Sequence, residues 1–190
     1  MKVERVSYDI MTPSAARGIL EAILWKPAVR WHIAQIDVLK QIAWESVRRN
    51  EVGTVMSPRS SGIYIEDHRQ QRAGLLLRDV AYTIHAFFEM TKKAGTDDNI
   101  VKFEEMFLRR AEKGQCFHRP YFGCREFSAY FEPIIKSGSL PLPANITRDL
   151  GWMLYDMDYS GKEPMPRFFR AIIEKGVLKV PSVESKEVKR

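Results

Sequence analysis

The sequence predicts an α+β fold, and three observations carry that prediction. Two segments repeat apolar residues at helical spacing. Others alternate apolar and polar residues as strands do. Their order, helix, strand, strand, long hairpin, strand, helix, strand, needs one opening strand to become the β-α-β-β-α-β pattern. The 190 residues are 45% hydrophobic and 28% charged. That balance excludes disorder over most of the length and supports a packed core without staples.

The first element opens at Thr12-Pro13-Ser14. Thr12 is a helix cap, and Pro13 suits the first helical position, where its missing N–H costs nothing. Ile19, Leu20, Ile23 and Leu24 then form one apolar stripe, and Pro27 is the expected stop. Next, Val29, Trp31 and Ile33 alternate with Arg30 and His32, while Ile36 and Val38 continue in shifted phase. This reads as a strand with a bulge. A second short strand carries Ile42, Trp44 and Val47. The stretch from about 50 to 74 is polar and glycine-containing, with Ile63, Tyr64 and Ile65 placed to pair as a flap hairpin; a loop this long is usually functional or disordered.

The strictest alternation follows, with Val80, Tyr82, Ile84, Ala86 and Phe88 on one phase. After a break at Gly95-Thr96-Asp97-Asp98, Ile100, Phe103, Phe107 and Ala111 recur at helical spacing, and Gly114 supplies the stop. Strand-like residues resume over 116–131. Pro133, Pro141 and Pro143 mark a looser joint, and the remainder reads as short strands plus one short helix or turn. The order is helix, strand, strand, long hairpin, strand, helix, strand. One strand before the first helix completes β-α-β-β-α-β, the ferredoxin-like (RRM-like) pattern. Only about eleven residues precede that helix, so the opening strand is expected to be short or missing. The expected division is a ferredoxin-like domain over 1–132 and a smaller antiparallel β region over 133–190.

Exclusions narrow the function. No stretch approaches ~20 apolar residues, so no membrane-spanning helix is expected. The opening MKVERVSYDI has no apolar signal-peptide centre. Two cysteines, Cys116 and Cys124, do not make a disulfide scaffold, and the default compartment is the cytoplasm. With His118 between them, the two thiols still lack the paired spacing of a zinc site. No metal and no cofactor is expected, and no phosphate-binding loop, nucleophile elbow or metalloprotease helix motif is present.

The charge points to a polyanion. Thirty basic residues against twenty-four acidic ones give +6 and a pI near 9.3. Arg109, Arg110, Lys113, Arg119 and Arg125 fall in one stretch with only Glu112 against them. A second, more diluted cluster holds Arg48, Arg49, Arg59, Arg69, Arg72 and Arg78. The planar fork of arginine suits phosphate, so Arg48, Arg49, Arg109, Arg110, Arg119 and Arg125 are the candidate RNA contacts; the competing reading is a solvated basic surface. Tyr64, Phe117, Tyr121 and Phe122 interleave with these charges as an RNA-stacking surface does, although the phenylalanines fit a sheet core equally well. Among the four histidines, His68 lies beside Arg69 in the flexible segment and His118 beside Arg119 in the most basic stretch. They are the candidates for proton transfer.

Three runs then resemble a known family. They are Ser14-Ala-Ala-Arg17-Gly-Ile-Leu-Glu-Ala-Ile-Leu-Trp-Lys-Pro27, Ser46-Val-Arg-Arg-Asn50, and the run from Arg110 to Phe127 with Lys113-Gly-Gln-Cys116 and Tyr121-Phe-Gly-Cys124-Arg-Glu at its centre. Together they resemble the CRISPR-associated Cas-five family of subtype I-C over nearly the whole chain. The resemblance implies a ferredoxin-like N-terminal domain and a smaller β-rich C-terminal part. It implies metal-independent cutting of the repeat hairpin in precursor CRISPR RNA. It also implies retention on the 5′ handle within a type I-C surveillance complex, beside a backbone subunit and a large subunit.

Two departures stand against that pattern. Family members carry about twenty further residues before the position of Met1, including a strand central to the sheet. The family's active site uses a tyrosine, a lysine and a histidine. The resemblance puts these on Leu24, Lys102 and Phe103, so only the lysine is kept. Metal-free RNA cleavage needs a base for the 2′-OH, cations for the phosphorane and an acid for the leaving 5′-oxygen. Acid–base groups contribute roughly 10²–10⁴-fold, and oriented charge a comparable share. Lys102, His118 and His68 are therefore the expected catalytic set. The alternative is a structural subunit that caps the 5′ handle without cutting. A metabolic enzyme of ferredoxin-like fold has no motif behind it.

Overall fold

The computed structural model describes residues 5–134 and 140–190. In chain order its elements are β1 (Arg5–Val6), α1 (Pro13–Ile23), β2 (Val29–Val38), β3 (Trp44–Val52), α2 (Ile65–His68), β4 (Arg69–Leu77), β5 (Tyr82–Met90), α3 (Ile100–Glu112), β6 (Arg148–Asp158), β7 (Met165–Glu174) and β8 (Val177–Lys179). The result is an α+β protein with two sheets, ordered β1-β4-β3 and β5-β2-β8-β7-β6. Two compact units contain them, one of Met1–Ile10 and Ile42–Val80, the other of Met11–Gln41 and Ala81–Arg190. Among the described residues no helix is long and apolar enough to cross a membrane.

In the larger unit, α1 forms where capping and periodicity place it. Thr12 Oγ1 accepts the Ala15 N–H at 3.2 Å, and Pro13 occupies the first turn. Ala16, Ile19, Leu20, Ala22 and Ile23 bury one face. The helix stops at Leu24, earlier than Pro27: Leu24 turns extended, and its N–H keeps one last bond to the Leu20 carbonyl at 2.9 Å.

The expected bulge is present in β2, whose register against β5 slips between Ile33 and Gln35. The slip lets Trp31, Ile33, Ile36 and Val38 all be buried despite their change of phase. The Trp31 indole N–H donates to the Leu24 carbonyl at 2.9 Å. Its ring meets Phe88 at 5.3 Å and Phe107 of α3 at 4.8 Å. One side chain thus joins α1, β5 and α3 over β2, and its truncation to alanine should cost ~3–5 kcal/mol.

The strands beyond residue 133 continue this sheet, because β8 bonds to β2 from Gln35↔Lys179 to Asp37↔Val177. The short strands and short helix expected there are two long strands, β6 and β7, of 11 and 10 residues. Charges that break the apolar alternation are satisfied across the pair. Arg170 donates to Asp149 at 2.6 Å, and Arg167 pairs with Asp158. The expected joint at Pro133, Pro141 and Pro143 includes 135–139, which lie outside the described residues. The β7–β8 turn uses Lys175 at φ 50 and Gly176 at φ 81, the left-handed pair a two-residue hairpin needs.

Two expectations fail by mechanism. The strand expected over 116–131 reduces to one bridge, Tyr121↔Ser128. Pro120 brings no N–H, Gly123 turns at φ 75, and the Cys124 and Phe127 N–H groups close turns onto Phe122 and Cys124. In the smaller unit, Ile63, Tyr64 and Ile65 form no flap hairpin, since Ile65 opens the short α2; only the ends of the expected 50–74 flap, residues 50–52 and 69–74, belong to the long hairpin of β3 and β4, registered from Trp44↔Leu77 to Val52↔Arg69, and 53–68 connect its strands. Backbone pairing needs no apolar period there, and Arg72 meets Glu51 across it at 3.2 Å. The opening strand is short, as expected. It pairs in parallel with β4 at Arg5↔Gly74 and so belongs to the three-stranded sheet, not to that of β2 and β5.

Candidate nucleic-acid interface

Lys102 stands in the first turn of α3, whose cap Asn99 accepts the Lys102 N–H at 2.8 Å. Its Nζ reaches Asp98 Oδ1 at 3.0 Å, while Asp98 Oδ2 accepts the Gly95 N–H at 3.0 Å. Asp98 is held below the usual carboxylate range, first by the Gly95 N–H, then by Lys102, with Lys26 adding a weaker pull. Lys26, exposed just past the end of α1, acts on Asp98 only as the weakest of its charge partners, while Lys102 makes the ion pair. Thr91 ties the same corner together by donating Oγ1–H to the Pro27 carbonyl at 2.6 Å.

The positions that the resemblance pairs with Lys102 are buried. Leu24 is 0% exposed and Phe103 3%. Both are core residues, although the Lys102 ammonium lies 5.7 Å over the Phe103 ring.

His118 is exposed beyond the other end of α3. Lys102 and Glu112 are ten residues apart in α3, so about 15 Å of helix separates the Lys102 corner from the end that leads to His118. Its Nδ1 is 3.2 Å from the Arg119 carbonyl. A carbonyl only accepts, so Nδ1 carries the hydrogen and Nε2 keeps a lone pair in the neutral ring. The ring stacks on Tyr121 at 5.8 Å and meets Phe117 edge-on at 6.1 Å. His68 belongs to the other unit, in the β3–β4 connection, with Nδ1 3.0 Å from Thr54 Oγ1. Among the described residues no hydrogen bond, ion pair or ring contact joins Lys102 to His118.

The arginines separate in the same way. Arg48 and Arg49 are neighbours on β3 and project to opposite faces of the hairpin. Arg49 is registered opposite Arg72. Arg110 donates to the Ile23 carbonyl at 3.0 Å and so caps α1, which is a structural task. Arg119 covers the Tyr130 ring at 4.6 Å, and Arg109 and Arg125 are exposed.

Sequence reasoning passed over Lys26 and Trp25 as possible contacts. The available signal was that Trp25 falls just past the 19-20-23-24 stripe, before a proline, and so outside the buried face. It also passed over His85, whose Nε2 lies 2.7 Å from the buried Asp37, itself bonded by Gln35. Among the described residues no three His, Cys, Asp or Glu side chains cluster as metal ligands do.

Comparison with known proteins adds a family. Residues 1–181 match the Cas5d form of the family described as CRISPR-associated protein (Cas_Cas5). The whole chain is 53% identical over 206 aligned residues to a protein of Mannheimia succiniciproducens named CRISPR pre-crRNA endoribonuclease Cas5d, covering 91% of it. It is 42% identical over 207 residues to a protein of the same name from Thermus thermophilus, covering 87% of it. Among solved structures, one described as a CRISPR-associated protein superposes with a TM-score of 0.73 at 23% identity, over 98% of this chain and 88% of that one. A functionally uncharacterized protein from Streptococcus mutans superposes at 0.70 with 22% identity, over 97% and 87%.

Proposed function

Because the chain belongs to the Cas5d family of CRISPR-associated proteins, we propose that it binds the repeat of a precursor CRISPR RNA, cuts it without a metal, and stays on the 5′ handle. The observation that carries this reading is the 53% identity, over the whole chain, to a relative named for that activity. The reading implies other subunits of a type I-C surveillance complex as partners and the cytoplasm as the place of action. The finer fold goes with it. We read α1, β2, β5 and α3 as a ferredoxin-like core, supported by the antiparallel β2–β5 pair and by Trp31 joining both helices to it.

Within this reading Lys102 meets the scissile phosphate. Its ammonium leaves Asp98 for the phosphate and opposes the charge that grows on the phosphorane; removing such a group costs about 10²–10³-fold in rate. His118, through its Nε2 lone pair, and His68 are the candidate proton-transfer groups. Arg109, Arg119 and Arg125 bind the RNA backbone from the larger unit, and Arg48 and Arg49 from the smaller one. Each phosphate they neutralise on single-stranded RNA contributes about −0.7 to the slope of log K against log salt.

The second reading, a subunit that caps the handle without cutting, is favoured by the buried, apolar Leu24 and Phe103, neither of which moves a proton. Incubating the purified chain with its own repeat RNA in EDTA separates the two. Product that disappears with Lys102→Ala supports cleavage. Tight, salt-dependent binding without product supports the structural subunit, and a salt slope near zero refutes both.

A further inference from the structure

Two large rings stand in water beside the C-terminal end of α1. Trp25 is 62% exposed and Phe117 92%. Neither belongs to the core, and both are rigidly mounted. The Phe117 N–H donates to the Ala22 carbonyl at 2.8 Å, in the last turn of α1. Trp25 follows Ala22 by three residues, no more than about 11 Å along the chain. It is bracketed by the fully buried Leu24 on one side and on the other by Lys26, whose carbonyl accepts the Val29 N–H at 3.0 Å.

Cations flank both rings. On the Trp25 side Lys26 is the next residue in the chain, and its charge is felt at Asp98, which holds the Lys102 ammonium. On the Phe117 side the ring sequence continues through His118 to Tyr121, and Arg119 lies over Tyr130. Exposed rings on fixed backbone, interleaved with positive charge, match the chemistry of a single nucleic-acid strand. Bases stack on the rings while phosphates meet the cations, and a mount that is already ordered costs little further entropy on binding.

We propose that Trp25 and Phe117 are base-stacking platforms, which lead single-stranded RNA across the end of α1 toward Lys102. The proposal rests on the RNA-processing reading and names residues for it beyond the basic set.

The test is binding of a 5′-labelled single-stranded repeat RNA, and of an oligo(A) of equal length, by fluorescence anisotropy at fixed salt. Stacking on one ring is lost with Trp25→Ala or Phe117→Ala, and affinity should fall about 5- to 100-fold for either. Because both rings are exposed, the melting temperatures should stay at the wild-type value. Trp25→Phe and Phe117→Tyr should recover most of the affinity. The salt slope should be unchanged by the ring substitutions, whereas Lys26→Gln should make it shallower by about 0.7.

If the wild-type chain binds and both alanine variants bind equally well, the platforms are refuted and the RNA reading stands. If the variants bind RNA normally but no longer join the other subunits of the complex, the rings dock protein and the proposal is overturned. If the wild-type chain binds neither RNA, the functional reading itself fails and the proposal with it.

Discussion

Arg17 on α1 and Asp156 on β6 are separated by 139 residues and joined by two hydrogen bonds, Nε to Oδ2 at 2.8 Å and Nη2 to Oδ1 at 2.9 Å. Glu21 takes Arg17 Nη1 at 2.6 Å, and Ser14 Oγ–H donates to Asp156 at 3.1 Å. Burial opposes the charge on Arg17, but Asp156 and Glu21 together outweigh it and hold the guanidinium more firmly protonated than usual. The perturbation is Arg17→Leu, alone and combined with Asp156→Asn. Side-chain exposures of 27% and 25% put the pair between a surface bridge and a buried one. Exposed pairs contribute up to about 1 kcal/mol, and breaking a buried one costs about 3–5 kcal/mol. The single variant should therefore lose about 2–3 kcal/mol. In a protein of this size that lowers the melting temperature by roughly 4–12 °C. Urea unfolding of the four members of the cycle should give a coupling energy of about 1–2 kcal/mol. A coupling below about 0.5 kcal/mol would refute the reasoning, since α1 and β6 would then be held together without the fork.

Gly176→Ala places a Cβ 2.2 Å from the Ala144 carbonyl oxygen and 2.7 Å from Pro143 Cβ, at φ +81; a loss above about 2 kcal/mol in chemical unfolding is expected. Tyr82, pushed up to about 12 by burial despite the Met11 N–H bond, stabilises the fold in its neutral form. That stability is complete below about pH 10 and is lost as pH rises from there through the folded value, by about 3 kcal/mol in all. Tyr82→Phe should flatten that alkaline decline, and an unchanged pH profile would contradict it. Asp98→Asn frees the Lys102 ammonium, so RNA affinity at low salt should rise by up to about 5-fold in a filter-binding assay; a fall would show that Asp98 contacts the RNA favourably. Trp31→Ala should destabilise by ~3–5 kcal/mol, read from the urea midpoint, because it empties the junction of α1, β5 and α3.

Much of the fold is legible along the chain because local chemistry sets it. Thr12-Pro13 starts α1, the shifted phase after Ile33 marks the bulge, and the break at Gly95–Asp98 and the stop at Gly114 bound α3. The long C-terminal strands are not legible in this way. Asp149, Asp156, Asp158, Arg167 and Arg170 interrupt the apolar pattern, and their ion pairs form across the β6–β7 pair or, for Asp156, with α1. The candidate site divides similarly. The cationic, aromatic run from Arg109 to Arg125 is plain in the sequence, but which of its members are available is not. Arg110 reads like its neighbours and caps α1 instead.

The sequence by itself determined the α+β class, the boundaries of α1 and α3 to within a few residues, the basic character and, through three contiguous motifs, the family resemblance. These rest on hydrogen bonds and periodicities that span four residues or fewer, or on unbroken runs of side chains. Only the tertiary structure decided that β8 stitches the last strands to β2, that β1 pairs with β4, and that Arg110 closes the end of α1. Each of those outcomes depends on which distant segment fills a given sheet edge or helix face. Local preference does not encode that choice; the packing of the whole chain fixes it.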